Sequence, residues 1–274
     1  MNLHLKRIEM TKILVPVDFS DTSSNALSYA IQLFGPGSLE VTVLNVFGNR
    51  STALLMKNID GILEKDARSK MAEFLKSFRE AYPEVAFITK IIKNQPVPAI
   101  TTMGDSGKFD YIVMGTKGAS GLKEVFMGSV AGGVVSRTKA PVIVVPGDHT
   151  FRPLENIIFS VGNDPFSDPG VVEPLRQIAR LHQSKIKVLH IAEKKTPQIE
   201  KALAAVADFN PTVDYAFGTG KTSKDLDDYL MKDFSGMVCL IRSKKGLIDR
   251  LLNESVTLKQ TFNSPVPLLI LHDR

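Results

Sequence analysis

Residues 115–131 read Gly-Thr-Lys-Gly-Ala-Ser-Gly-Leu-Lys-Glu-Val-Phe-Met-Gly-Ser-Val-Ala, which sets Gly115, Gly118, Gly128 and Ser129 in the spacing G-x2-G-x9-G-S. The apolar run Tyr111-Ile112-Val113-Met114 precedes them, and Val130–Ser136 after them can be helical. A strand, a glycine loop and a helix start in that order can hold a phosphate. The first N–H groups of a helix have no partner within it, and its dipole is positive at that end. Gly115 and Gly118 allow the backbone to approach a ribose or phosphate that a side chain would exclude. Ser129 is placed to cap the helix and to offer a hydroxyl. Lys117 can reach a phosphate as a point charge. Plainer readings stay open: a tight loop for the glycines, a solvated surface lysine for Lys117.

The elements that would position these residues follow from hydrophobic pattern. Ile13-Leu14-Val15-Pro16-Val17 is a run of buried-strand type, ending at Asp18. Asp18 either faces a ligand or only caps the next helix. Asp21 to Ser24 supply caps, Ala26, Leu27, Ala30, Ile31, Leu33 and Phe34 give an amphipathic helix, and Gly35-Pro36-Gly37 ends it. Val41–Val46 is a second strand, 52–80 a long helix, Val85–Ile92 a third strand, Pro98–Met103 a short helix, Tyr111–Met114 a fourth strand and Pro141–Val145 a fifth. Strands alternating with helices predict an α/β fold with a parallel sheet.

The unit is then written again. Asn156–Val161 repeats Lys12–Val17 at an offset of 144, Lys185–Ile191 repeats Glu40–Val46 at 145, and Met237–Leu240 repeats Tyr111–Met114 at 126. The drop places the lost residues where the first half has its long helix. Pro265–Leu271 mirrors the last strand, and the two final strands are candidate edges for pairing the halves.

The second half has lost the phosphate pattern. Gly162, or Asp164 with a longer turn, stands for Asp18; Ile241 and Lys244 stand for Gly115 and Gly118; Asn253-Glu254 or Glu254-Ser255 stands for Gly128-Ser129. A branched side chain and a carboxylate at those places oppose nucleotide binding. His190 takes the place of Asn45, either lining a pocket or satisfied within its strand.

Composition bounds the rest. The chain of 274 residues carries a net charge of +5, divided between 17 basic and 14 acidic residues in 1–150 and 17 and 15 beyond. No basic run with interleaved aromatics occurs, so nucleic-acid binding is not expected. The single cysteine, Cys239, rules out a disulfide within the chain and suits a reducing cytoplasm. No apolar stretch approaches the ~18 residues of a membrane span. Met1–Glu9 lacks a signal-peptide core and reads as a short extension ahead of a natural start at Met10.

Taken together, the strand ending in Asp18, Leu44-Asn45-Val46, Met114-Gly115-Thr116-Lys117-Gly118 and Gly128-Ser129-Val130 resemble the universal stress protein family, as a tandem member. The resemblance implies two doubly wound five-stranded parallel-sheet (Rossmann-like) domains, over 1–148 and 153–274. It implies a protein of stress survival and growth arrest, with pairing of the two domains and association into a homodimer. Members with the full glycine pattern often bind ATP or a related adenine nucleotide, with Mg²⁺ able to accompany it. Carried over by position, Pro16, Val17 and Val46 would wall the adenine, and Asp18 would sit near the ribose or hold a metal through water. Gly115, Thr116, Lys117, Gly118, Gly121, Gly128, Ser129 and Val130 would form the rest of the site. Ala131 stands where many nucleotide-binding members carry a hydroxyl, so one phosphate contact is missing. No HExxH, Walker A pair or G-x-S-x-G elbow occurs, so no dedicated activity is expected beyond slow ATP hydrolysis. Two rivals stay open: an interaction module without nucleotide, and a hydrolase on the same layout.

Overall fold

A computed structural model describes residues 10–48, 57–116, 128–162, 168–191, 197–216, 226, 229–230, 236–242 and 264–273. Strand β1 (Thr11–Pro16) buries Ile13, Leu14 and Val15 completely, because both faces of the sheet are covered. Ile13 and Val15 enter one apolar layer and Leu14 the other, following the period of two along a strand.

The chain turns at Phe19, whose φ of +65° is unusual for a bulky residue, and enters helix α1 (Asp21–Phe34). The cap is Ser20, one residue ahead of the expected Asp21–Ser24 group. Its hydroxyl oxygen accepts from the Ser23 N–H at 3.3 Å. Gly35, at φ +75°, ends the helix and donates its N–H to the Ile31 carbonyl. The first half continues with β2 (Leu39–Phe47), α2 (Lys57–Ala81), β3 (Ala86–Lys93), α3 (Pro96–Gly104), β4 (Tyr111–Gly115), α4 (Ser129–Arg137) and β5 (Val142–Val145). The second half contributes β6 (Asn156–Val161), α5 (Glu173–His182), β7 (Lys185–Ile191), α6 (Gln198–Ala205), β8 (Thr212–Ala216), β9 (Met237–Arg242) and β10 (Leu268–His272). Where α2 has 25 residues, α6 has 8, which accounts for most of the drop in the repeat offset.

The strands form one sheet in the order β3-β2-β1-β4-β5-β10-β9-β6-β7-β8. Read outward from the centre, each half has the same winding. Every pairing is parallel except β5 with β10, where Leu268 faces Val144 and Ile270 faces Val142. The two final strands therefore pair with each other, leaving β3 and β8 at the edges.

The junction is polar as well as apolar. A ring nitrogen of His182 lies 2.7 Å from the Leu33 carbonyl, one of His149 3.3 Å from Pro265, and one of His272 3.0 Å from Val135. Tyr111 donates its hydroxyl to the Pro174 carbonyl at 2.9 Å. Asn25 clips the connection between halves through the Pro146 and His149 carbonyls. Among the described residues, no helix is long and apolar enough to cross a membrane.

Candidate functional site

The C-terminal ends of β1, β2 and β4 and the first turns of α3 and α4 enclose a cleft of about 320 Å³. Strand C-termini are where open α/β sheets take ligands. From β1 and the turn after it come Pro16, Val17 and Asp18; from β2 comes Val46; from β4 and the following residue come Gly115 and Thr116; from the start of α4 come Gly128, Ser129 and Val130. Nine residues singled out by sequence thus share one cleft. Lys117, Gly118 and Gly121 lie outside the described residues.

The β1 side is held from below. The Val17 N–H donates to Leu44 at 2.8 Å, extending the ladder one residue past β1. The buried Asn45 amide donates to the Val17 carbonyl at 2.9 Å. Asp18 then accepts from the Ser20 N–H and hydroxyl, so the carboxylate is tied to the residue that caps α1 while still lining the cleft. As an acceptor it suits sugar hydroxyls, not a phosphate.

Two expectations about the glycine run need correction. The position of a Cβ on Gly115 lies 2.5 Å from Thr22 Cγ2 and 3.0 Å from the Thr22 carbonyl. Glycine is demanded there by the close passage of α1, independent of any ligand. Ser129 is not the cap of α4. The cap is Gly128, with no side-chain hydrogen bond, and Ser129 is the first helical residue. The Gly128 N–H donates back to the Thr116 carbonyl, closing the base of the loop. The first turn of α4 carries no acidic residue and no side-chain cap, so its positive end faces the cleft.

Beside it, the hydroxyl oxygen of Thr116 is buried and has no hydrogen-bond partner among the described residues. A buried polar atom left so costs about 1–3 kcal/mol, and a bound ligand is one way to satisfy it. Sequence reasoning missed Pro96 and Ile100 of α3 and Ser23 of α1 as lining residues. Only the fold brings them in; Pro at the first turn of α3 signalled a helix start, not its destination. A larger groove of about 1230 Å³ lies at the opposite ends of the strands, lined by Lys12, Glu40 and Met103 among others. It adjoins the negative end of α3, and Lys12, Lys90 and Lys108 line it together with Glu40 and Asp110.

In the second half the buried His190 repeats the role of Asn45. Its Nδ1 lies 3.3 Å from the Val161 carbonyl, and its ring meets Tyr215 edge-on. It is thus satisfied within its sheet. Ile241, in the register position of Gly115, packs against the apolar core. Asp164, Lys244, Asn253, Glu254 and Ser255 lie outside the described residues.

The family model described as "Universal stress protein family" matches residues 9–146, half of the chain. This chain belongs to the universal stress protein family. Universal stress protein MJ0531 of Methanocaldococcus jannaschii is 30% identical over 137 residues, covering 49% of this chain and 81% of that protein. Universal stress protein MJ0577 of the same organism is 29% identical over 152 residues, covering 49% and 93%. The whole tandem architecture also has a counterpart. The crystal structure of a universal stress protein from Archaeoglobus fulgidus covers 96% of this chain and 98% of its own, with a TM-score of 0.69 at 20% identity.

Proposed function

We propose that this universal stress protein binds ATP or a related adenine nucleotide in the cleft of its first half. The chain divides as 1–148, which binds, and 153–274, which supports. The observation that carries the reading is the buried Thr116 hydroxyl, without a hydrogen-bond partner among the described residues, beside the start of α4, which has no side-chain cap, in a cleft walled by Val17 and Val46. An apolar wall suits a base, the Asp18 carboxylate suits ribose hydroxyls, and helix N–H groups suit phosphates. Asp18 is the carboxylate lining the cleft, and among the described residues no group of three or more His, Cys, Asp or Glu could hold a metal. Mg²⁺ would therefore arrive mainly on the phosphates themselves.

The chain's residues bind and orient the nucleotide, and turnover is expected to be slow. The second half pairs with the first through β10, so further self-association would use the β3 or β8 edge. The buried lone thiol, whose pKa burial pushes up, suits a reducing cytoplasm.

Thr116→Val tests the reading with two readouts of opposite sign. Removing a partnerless buried hydroxyl at nearly constant shape is expected to raise urea stability of the free protein. It is expected to weaken ATP binding, followed by fluorescence with a labelled ATP analogue, about tenfold. Unchanged affinity with raised stability would leave the hydroxyl without a ligand role. No binding by the wild-type protein would favour an interaction module.

A further inference from the structure

Helix α4 reaches from the candidate cleft to the second half of the chain. Its first residues, Ser129, Val130 and Ala131, line the cleft. It has nine residues, too few to be stable alone, so what satisfies its far end matters. The last four carbonyls of a helix have no partner within it. Val134 accepts from the Thr138 N–H at 2.9 Å. The turn beyond is fixed by Asp105, which accepts from the Thr138 hydroxyl and from the Lys139 and Ala140 N–H groups. The Val135 carbonyl is met by His272, the last residue of β10, whose Nε2 lies 3.0 Å away. A carbonyl only accepts, so Nε2 carries the proton. His272 is buried. Burial pushes its pKa below the ordinary 6.5 and Arg242 adds to that, while the Val135 and Ala140 carbonyls and Asp105 oppose it, so at neutral pH the ring is a neutral donor.

We propose that His272 is a positioning residue for the nucleotide site, supplied by the second half of the chain, which holds α4 so that its first turn presents N–H groups to the cleft. The proposal rests on the nucleotide reading above and gives the second half a role in it. Val135 lies four residues from Ala131, about 6 Å along the helix, so the bond acts within roughly one turn of the cleft. The comparable bond from His182 to Leu33 joins the halves ten residues, about 15 Å, beyond Ser23, the α1 residue that lines the cleft.

The test compares His272→Leu, His272→Gln and His182→Leu in the full chain, with ATP as probe and amide hydrogen exchange of 129–137 as a second readout. His272→Leu is expected to weaken ATP binding about tenfold and to speed exchange in α4. His272→Gln, which keeps an N–H donor, should restore both in large part and serves if the leucine variant fails to fold. His182→Leu should lower stability without changing ATP affinity or α4 exchange. Equal ATP affinity in His272→Leu and wild type, or equal losses in the two leucine variants, would overturn the proposal. Should wild type bind no ATP, the nucleotide reading falls, and unchanged exchange in α4 would still refute His272 as its anchor.

Discussion

At Gly115 the space for a side chain is already taken by Thr22, so Gly115→Ala is expected to destabilise the protein by about 1–3 kcal/mol whether or not nucleotide is present. Thr22→Ser, which deletes the nearest methyl, should recover part of that loss; urea unfolding of the three variants checks it. A flexible Gly115 that tolerates alanine would show that the glycine serves the ligand after all. The sequence shows the glycine but not its reason, because Thr22 is 93 positions away and meets it only through the fold. Asn45 and His190 are more legible. The repeat offset puts them in one register position, and each meets the carbonyl at the C-terminal end of the first strand of its half, Val17 just past β1 and Val161 at the end of β6. Asn45→Leu is expected to cost about 1–3 kcal/mol by stranding the Val17 carbonyl, and Asn45→His to cost less. Equal losses for the two would deny that the bond is what matters.

At the scale of the element, α4 decides what the cleft can hold. Its uncapped first turn attracts either an anion or an acidic side chain. Ser129→Asp therefore carries two opposed expectations: helix stability raised by about 0.3–1 kcal/mol, and ATP affinity lowered at least tenfold because the carboxylate takes the place of phosphate. Thermal unfolding and an ATP titration of the same sample check both, and retained affinity would move the phosphates away from α4. Buried strands such as β6 and β7 were readable to the residue, since their sequences are rich in branched apolar residues and repeat β1 and β2 at a steady offset. Strand β8 was not, because it is an edge strand whose residues are at most half-buried and whose sequence, Thr-Val-Asp-Tyr-Ala, carries no apolar run. The contribution of α3 to the cleft was equally hidden: Ile100 read as an ordinary helix residue and Pro96 lay ahead of the expected helix at Pro98–Met103, until the sheet order sets α3 beside α4.

At the scale of the whole molecule, the halves are joined by a central antiparallel strand pair and by three histidines that each meet a carbonyl across the junction or its connection. Burial is the largest influence on all three and holds their pKa below the ordinary 6.5. Around His149, Arg152 adds to that depression while Asp148 and the Pro265 carbonyl oppose it; at His182 only the Leu33 carbonyl does; at His272, Arg242 adds, and the Val135 and Ala140 carbonyls and Asp105 oppose. The unfolded chain thus takes up protons below about pH 6.5 that the folded one refuses, so stability is full above that pH and falls as pH drops through it. The urea midpoint should fall between pH 7.5 and 5.5, and fall less after glutamine replaces all three histidines. The tandem plan, the pairing of final strands and the shortened middle were visible in the repeat offsets; the histidine contacts were not, since they join residues up to 149 positions apart. The account turns on one working site in a duplicated chain. Calorimetric titration of the wild-type protein with ATP and Mg²⁺ measures this directly: it predicts one ATP bound per chain, whereas two would show a second working site in the other half, and none would contradict nucleotide binding itself.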